Sequence, residues 1–249
     1  MDTQMKFTTM QNKIKNVNKL LVKQFGIPPR RKELPDSVDM IIATILSQNT
    51  NDKNSYKAFQ NLKQKYKSWE ELLKVRRTTI EKEIRVAGLG FQKSTAIKNF
   101  VEEIYKERKE ITLKHIEKLD DNSAIVELTK YKGVGVKTAS CVLLFAEGRN
   151  VCPVDTHVHR TVNRIGIVQG ATADKTFIKL NEDFPSKIAH QFHTNLLRLG
   201  REVCTPQNPS CGVCPIKKEC EYEPKNLEND KMKKERKFML LDSVNLEKR

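Results

Sequence analysis

The sequence contains no long hydrophobic run. Its longest mostly apolar stretches cover residues 40–46 and 141–146, far short of the roughly 20 residues that a membrane-spanning helix needs. The first residues also lack the apolar core that a secretory signal peptide carries. We therefore expect a chain that stays in the cytoplasm.

Aromatic and cysteine residues are both scarce. Aromatic residues make up 6% and hydrophobic residues 38% of the 249 residues, a low apolar content whose pattern is still too regular for a disordered chain. Six cysteines in this length are too few for an extracellular scaffold held by disulfides. They are better interpreted as buried thiols or metal ligands in a reducing compartment.

Basic residues dominate the charge. The chain has 46 Lys and Arg against 31 Asp and Glu, which gives a formal net charge of +15. Such an excess favours a polyanionic partner, and nucleic acid is the first candidate.

The apolar residues recur at helical spacing, and no segment alternates with a period of two, so the pattern predicts an all-α fold. Apolar stripes occur at residues 14–25, 38–46 and 96–104, and capping-box patterns begin at Ser68 and Thr78. Residues 225–237 are almost wholly polar and charged, which predicts a loose C-terminal tail.

Two Gly-x-Gly turns, at residues 88–90 and 133–135, echo each other weakly. The second turn comprises Gly133, Val134 and Gly135 and precedes an apolar helix that begins with Val-Lys-Thr-Ala. Two glycines let the backbone turn tightly and expose its N–H groups at a helix N-terminus, which attracts phosphate. An ordinary helix corner without a ligand is the alternative, but the basic chain favours contact with a DNA backbone.

Lys137 falls in the first turn of that helix. A free lysine is almost fully protonated at pH 7 and is a poor nucleophile, whereas a positive helix end and partial burial favour the neutral amine. A solvated lysine that contacts phosphate is the alternative. Eighteen residues on, Asp155 is placed to cap the next helix. Cys152, His157 and His159 suggest a metal site, although a spacing of two puts the histidines on different faces of a helix.

The strongest motif has the form Cys-x6-Cys-x2-Cys-x5-Cys and comprises Cys204, Cys211, Cys214 and Cys220. Four thiolates at such short, unequal spacing suit one site. A zinc ribbon usually pairs two Cys-x2-Cys knuckles, and only one is present, so a 4Fe-4S cluster is favoured over zinc. The two lysines inside the loop, at residues 217 and 218, could present cations to phosphate.

Together, the Gly-Val-Gly-Val-Lys-Thr-Ala turn, the Val-Asp-Thr-His segment at residues 154–157 and the cysteine loop resemble the endonuclease III family. This family belongs to the helix-hairpin-helix base-excision glycosylases. The resemblance covers residues 14–222, and the Leu-Ser-Gln-Asn-Thr stretch at 46–50 is similar to the archaeal-type members.

The resemblance implies a two-lobed all-α fold with a DNA cleft between the lobes. A six-helix barrel that contains the helix-hairpin-helix would span residues 30–149. Residues 1–29 and 150–224 would form the lobe that holds the 4Fe-4S cluster, followed by a charged tail at 225–249. Lys137 and Asp155 would face each other across the cleft.

The implied activity is that of a bifunctional DNA glycosylase and AP lyase acting on double-stranded DNA with damaged bases or abasic sites, as a monomer associated with the nucleoid in a prokaryote. Lys137 would attack the sugar and form a Schiff base, with Asp155 assisting. Gln48 and Leu89 would fill the space left by the extruded base; otherwise they are a helix-end polar residue and a core leucine. Gly133, Val134, Gly135 and His157 would contact DNA.

Two alternatives remain open. A monofunctional uracil or mismatch glycosylase shares this fold and cluster but usually lacks the lysine found at position 137. A non-catalytic DNA-binding or electron-carrying cluster protein would leave the pairing of Lys137 with Asp155 unexplained.

Overall fold

The computed structural model describes residues 3–232, with side chains from residue 9 onward. This part of the chain is helical throughout and contains no strand. Ten α-helices form: α1 (Thr3–Phe25), α2 (Ser37–Ser47), α3 (Asp52–Lys65), α4 (Arg77–Ile84), α5 (Gly90–Arg108), α6 (Asp121–Thr129), α7 (Val136–Phe145), α8 (Thr156–Ile165), α9 (Ala173–Asn181) and α10 (Ala189–Glu202). Short 3-10 helices cover Trp69–Lys74, Arg85–Ala87 and Lys114–Lys118. The all-α prediction is confirmed.

The helices group into two compact units. Residues 30–149 form one unit, and residues 3–29 together with 150–232 form the other. None of the helices between residues 3 and 232 is both long and apolar enough to cross a bilayer.

The core of the 30–149 unit is built on α2 and α7, which pack against each other. Ile41, Ile45 and Leu46 of α2 are fully buried, as is the apolar run of α7 from Ala139 to Phe145. The carboxylate of Asp36 accepts the N–H groups of Val38 and Asp39 and caps α2. Because α2 and α7 are fixed in this core, their exposed ends are held at defined positions.

One predicted helix start is wrong by two residues. The pattern at Thr78 predicts a capping box with Glu81, but α4 begins at Arg77 and has no capping side chain. The Glu81 carboxylate pairs instead with the Arg77 guanidinium one turn earlier. At Ser68 the prediction holds better, since Glu71 accepts the Ser68 N–H at 3.2 Å.

The other unit is built around α10, which contacts both α1 and α8. Ile14, Val17 and Leu21 of α1 are fully buried, in agreement with the predicted stripe. Phe25, the last residue of that stripe, is instead half-buried beneath the Arg198 guanidinium, whose central carbon lies 4.6 Å from the ring centroid. This packing positions the start of α8 and the cysteine loop that follows α10.

Candidate active site and candidate cluster-binding loop

The turn between α6 and α7 requires a glycine at position 133. Gly133 has φ +93°, and a Cβ atom there would lie 2.8 Å from Cβ of Ala96. The next residue, Val134, is buried and donates its N–H to the Tyr131 carbonyl at 3.0 Å. The valine therefore anchors the turn in the core while the glycine before it lets the chain reverse.

The N-terminus of α7 is open. Gly135 precedes the helix in extended backbone at φ −93°, caps it with no side chain, and is exposed. A Cβ atom at this position would meet nothing within 4 Å. The first N–H groups of a helix have no partner within the helix, so this end is free to accept an anion such as phosphate.

Lys137 is the second residue of α7 and is half-buried. The three residues after it, Thr138, Ala139 and Ser140, are buried, and the Ser140 hydroxyl donates to the Lys137 carbonyl at 3.0 Å. The backbone beneath the lysine is thus fixed, and its amine lies within the first turn of a helix that begins beside the open glycine turn.

Asp155 caps α8, as the sequence predicts. Its Oδ1 accepts the N–H groups of His157 at 2.9 Å and Val158 at 2.8 Å. Among the described residues, Oδ2 has no hydrogen-bond donor. The segment before it is pinned because the buried Pro153 carbonyl meets Nδ1 of His193 at 2.9 Å. Asp155 belongs to the second unit and Lys137 to the first.

His157 follows the cap and packs against α10. His157 is half-buried, and a Cβ atom added to Gly200 would lie 2.9 Å from Cβ of His157. Burial lowers the pKa of the His157 imidazole, and the nearby Arg160 charge lowers it further against the opposing effect of Asp155. The Arg160 guanidinium lies 3.2 Å from Nδ1 of the imidazole.

Gln48 and Leu89 both lie on exposed turns of the 30–149 unit. Gln48 is exposed at the end of α2, where its N–H donates to Ile45 at 3.3 Å. Leu89 precedes α5 in the left-handed conformation, at φ +49°, and 44% of it is exposed. The alternative interpretation of Leu89 as a core leucine is wrong, because its side chain lies outside the core.

Sequence reasoning missed Lys93, a residue that links these two turns. Its Nζ donates to the carbonyl of Leu46 at 2.8 Å and to that of Ala87 at 2.9 Å, and its side chain is buried. The available signal was its spacing, since Lys93 continues the apolar stripe of α5 that contains Ile97 and Phe100.

The four cysteines of the motif line one pocket together with apolar residues that include Ile165, Leu199 and Ile216. All four are free thiols and are partly buried. Burial raises the pKa of the Cys214 thiol to about 12, and it also raises that of Cys220. Four sulfur donors on an apolar pocket are the ligand set typical of a thiolate-bound metal centre.

Within residues 9–232, no three or more His, Cys, Asp or Glu side chains form a group that could hold one metal ion. The same result speaks against the alternative site at Cys152, His157 and His159, where His159 is engaged by the Thr176 hydroxyl at 2.8 Å.

The segment after the cysteine loop differs from the prediction of a loose tail. The backbone N–H groups of Cys211 and Gly212 donate to the carbonyls of Asn226 and Asn229, both at 3.1 Å. The Ser210 hydroxyl donates to the Lys231 carbonyl at 2.7 Å. We call residues 226–231 the strap. The amino-acid composition contains no information about these backbone hydrogen bonds, so it predicts a loose segment. Residues 233–249 of the predicted tail lie outside the described residues.

Gly212 is required where the strap crosses the loop. A Cβ atom there would lie 2.5 Å from the carbonyl oxygen of Leu227 and 3.1 Å from that of Asn229. The two lysines of the loop, residues 217 and 218, are exposed, and Nζ of Lys217 donates to the Gly212 carbonyl at 2.8 Å.

Comparison with known proteins identifies related sequences. The sequence model of the HhH-GPD superfamily of base excision DNA repair proteins matches residues 42–186. Endonuclease III of Thermotoga maritima is 32% identical over 209 residues, which cover 84% of this chain and 92% of that protein. Endonuclease III of Sulfolobus acidocaldarius is 34% identical over 76% of this chain and 83% of that protein. An Arabidopsis thaliana protein named as a DNA glycosylase is 35% identical over 68% of this chain, which spans 57% of that protein.

The fold agrees with the sequence comparison. A non-covalent endonuclease III–DNA complex superimposes with a TM-score of 0.72 at 25% identity, over 85% of this chain and 95% of that one. A trapped covalent endonuclease III–DNA intermediate gives 0.71, also at 25% identity, over 85% of this chain and 96% of that one. These matches confirm the resemblance found in the sequence. The chain belongs to the HhH-GPD superfamily of base excision DNA repair proteins and is a DNA glycosylase of the endonuclease III family.

Proposed function

We propose that the protein is a bifunctional DNA glycosylase and AP lyase that removes damaged pyrimidines from double-stranded DNA, oxidised ones first among them. The observation that carries this proposal is the position of Lys137, a half-buried amine in the first turn of α7 next to the open Gly135 turn. A phosphate bound at that helix end would place a nucleotide close to the amine. The protein would act as a monomer where the genomic DNA lies, which in a prokaryotic cell is the cytoplasm.

The base must leave the stack before the sugar can be attacked, which costs a few kcal/mol and less at a damaged pair. The exposed side chains of Gln48 and Leu89 would occupy the vacated space. Leu89 suits this role because an exposed leucine in the left-handed conformation contributes little to the core and is held outward by its backbone.

In the chemical step, the neutral Lys137 amine attacks C1′ of the deoxyribose. A C1′–N bond forms, the glycosidic bond breaks, and the base leaves with its electron pair and gains a proton. Positive charge develops on the sugar, and the carboxylate of Asp155 stabilises it. Because Oδ1 of Asp155 is occupied by the α8 cap, Oδ2 is the oxygen available for this role.

Opening of the sugar gives a Schiff base between C1′ and Lys137. Loss of a proton from C2′ then expels the 3′ phosphate by β-elimination, and water releases the lysine. Support for this route comes from the solved covalent intermediate of a related endonuclease III with DNA. The N–H groups at Gly135 and the imidazole of His157 would hold the DNA backbone.

We propose a 4Fe-4S cluster bound by Cys204, Cys211, Cys214 and Cys220. The four thiols line one apolar pocket and supply the sulfur donors that an iron-sulfur centre requires. The cluster would serve as the structural centre of its loop, and a zinc-bound loop is the outcome that would overturn this assignment. Iron and sulfide near four each per chain are expected in anaerobically purified protein.

The test of function uses duplexes that contain thymine glycol, uracil, 8-oxoguanine or an abasic site, incubated with the protein in the presence of borohydride. We expect a covalent complex on thymine glycol and on the abasic site, and strand cleavage when borohydride is omitted. Base release without any trapped complex would overturn the lyase assignment and establish the monofunctional alternative. No base release and no cleavage on any duplex would overturn both the bifunctional and the monofunctional assignment.

A further inference from the structure

Lys93 is a lysine in the position of a core residue. Only 1% of it is exposed, and it lies on the buried face of α5 with Ile97, Phe100 and Ile104. Burial lowers its pKa to about 8. No carboxylate in the described part of the chain pairs with it, so the burial of this amine has to be offset by other hydrogen bonds.

The amine is bound by two backbone carbonyls from separate segments. Leu46 lies in the last turn of α2, two residues before Gln48, and Ala87 ends a 3-10 helix two residues before Leu89. Nζ of Lys93 donates to the first at 2.8 Å and to the second at 2.9 Å. Carbonyls at helix ends have no partner within their helix, and one amine supplies the donor for both.

Each bound carbonyl is followed within three residues by a non-glycine residue of positive φ. Asn49 has φ +48° in the turn after α2, and Leu89 has φ +49° in the turn before α5. Non-glycine residues remain in this region of backbone space only when the surrounding structure holds them there. The Lys93 amine is a contact that the two strained turns share.

We propose that Lys93 is a positioning residue that joins the Gln48 turn to the Leu89 turn and sets the distance between them. It acts through these turns and does not touch DNA. The proposal rests on the proposed function, in which both side chains enter the space left by an extruded nucleotide. When the Lys93 amine joins them, the two turns enter DNA as one rigid unit. Without that link, each turn must be ordered separately on binding.

The chain offers a matched control on the same helix. Lys98 is also largely covered and donates to two backbone carbonyls, those of Leu72 at 2.7 Å and Leu73 at 3.0 Å. Those carbonyls belong to the 3-10 helix at Trp69–Lys74, which contains neither turn. Lys98→Met therefore removes two bonds to backbone carbonyls, as Lys93→Met does, together with an ion pair to Glu102 at 3.1 Å, while leaving the two turns joined.

The experiment measures the dissociation constants of both variants for a duplex with a tetrahydrofuran abasic analogue and for the same duplex undamaged. The quantity compared is the ratio of the two constants. For Lys93→Met this preference for the abasic duplex is expected to fall about tenfold, equivalent to about 1.4 kcal/mol. Affinity for undamaged DNA should stay within about twofold, because phosphate contacts dominate it. An unchanged preference, or an equal loss in Lys98→Met, would overturn the inference.

A double-mutant cycle tests whether Lys93 acts through Leu89. Leu89→Ala should lower the preference, and adding Lys93→Met should then lower it by clearly less than it does alone. Two fully additive losses would contradict the inference. If Leu89→Ala lowers the preference and Lys93→Met does not, the positioning role is wrong while the role of Leu89 stands. Borohydride trapping at Lys137 reports on the proposed function independently of either result.

Lys93→Gln provides a second measurement in case Lys93→Met fails to fold. Its amide keeps two N–H donors but reaches one bond less far, so it cannot meet both carbonyls at their present separation. The same loss of preference is expected in the folded fraction of this variant. A preference equal to that of the wild type would overturn the inference.

Discussion

The backbone N–H of Val158 donates to Oδ1 of Asp155 at 2.8 Å, and the N–H of His157 donates to the same oxygen. One carboxylate oxygen thus begins α8, and the other remains available to a substrate. Capping and catalysis are therefore separable at this residue, because an asparagine can replace the capping oxygen but not the charge.

We expect Asp155→Asn to retain stability and lose base excision. The amide oxygen can still cap α8, whereas loss of the charge should slow base release by at least about a hundredfold, or roughly 3 kcal/mol. Asp155→Ala should lose a similar amount of activity and also about 1 kcal/mol of stability, because it removes the cap. Thermal unfolding and single-turnover base release separate the two effects. Equal stability of Asp155→Asn and Asp155→Ala would show that the cap contributes nothing to stability.

Lys137→Gln should abolish both strand cleavage and the borohydride-trapped complex, since it removes the nucleophilic amine. Binding to a tetrahydrofuran abasic duplex should persist, because the fold and the open helix end are unchanged. Lys132→Gln, in the exposed part of the same hairpin, is the matched control and should trap normally. Trapping by Lys137→Gln at the wild-type rate would assign the chemistry to another amine.

The two glycines of the hairpin should respond differently to substitution. Gly133→Ala introduces strain at φ +93° and a contact with Ala96, so it should cost roughly 1–3 kcal/mol of stability. Gly135→Val meets open space and should leave stability nearly unchanged, but its side chain would obstruct phosphate at the start of α7. Denaturant unfolding tests the first statement. Anisotropy titrations at several salt concentrations test the second, with equal weakening expected for all sequences.

Displacing the strap should make the proposed cluster more labile. Gly212→Ala places a methyl group against the Leu227 carbonyl, so the strap must move away from the loop. We expect faster loss of visible absorbance and faster iron release to a chelator than in the wild type. Gly135→Ala, at a site with open space, is the control. Identical release rates would mean that the strap does not shield the cluster, while zinc in place of iron would refute the cluster itself.

Lys93 should make stability depend on alkaline pH. Its pKa is lowered to about 8 in the folded state, below the value of an unfolded lysine, so the unfolded chain binds more protons between those values. Stability from this group therefore rises with pH above 8, by at most about 1.4 kcal/mol per unit, until the unfolded lysine also titrates. A neutral amine still has two hydrogens for the two carbonyls. Unfolding of wild type and Lys93→Met from pH 7 to 10 tests this, and parallel curves would contradict it.

The two Gly-x-Gly turns show what sequence patterns leave undetermined. Both begin with a glycine of positive φ, yet Val134 is buried and Leu89 is exposed. The difference depends on the partners available: Val134 lies over a core that includes Tyr131, whereas Leu89 is turned outward by its own left-handed backbone. Local sequence predicts the turn, but only the tertiary surroundings determine where its middle side chain points.

Much of the fold could be predicted, because helical periodicity reports directly on burial, as at Ile14, Val17 and Leu21. The spacing of the motif predicted that the four cysteines lie close together, because a short loop keeps its residues near one another. Lys93 was not found, since hydropathy counts a lysine as a surface residue wherever it occurs. The strap was missed because its bonds are made by backbone atoms, which composition does not describe.

The order of synthesis follows from the way the chain divides into units. Residues 30–149 are continuous and emerge from the ribosome before α8 does, so that unit can fold first. The apolar face of α1 is buried in a unit with α10, which is translated more than 160 residues later. At ribosomal rates α1 waits on the order of ten to thirty seconds for its partner helix. During that interval the apolar stripe of α1 lacks its α10 partner, and the cysteines downstream of α10 complete their unit last.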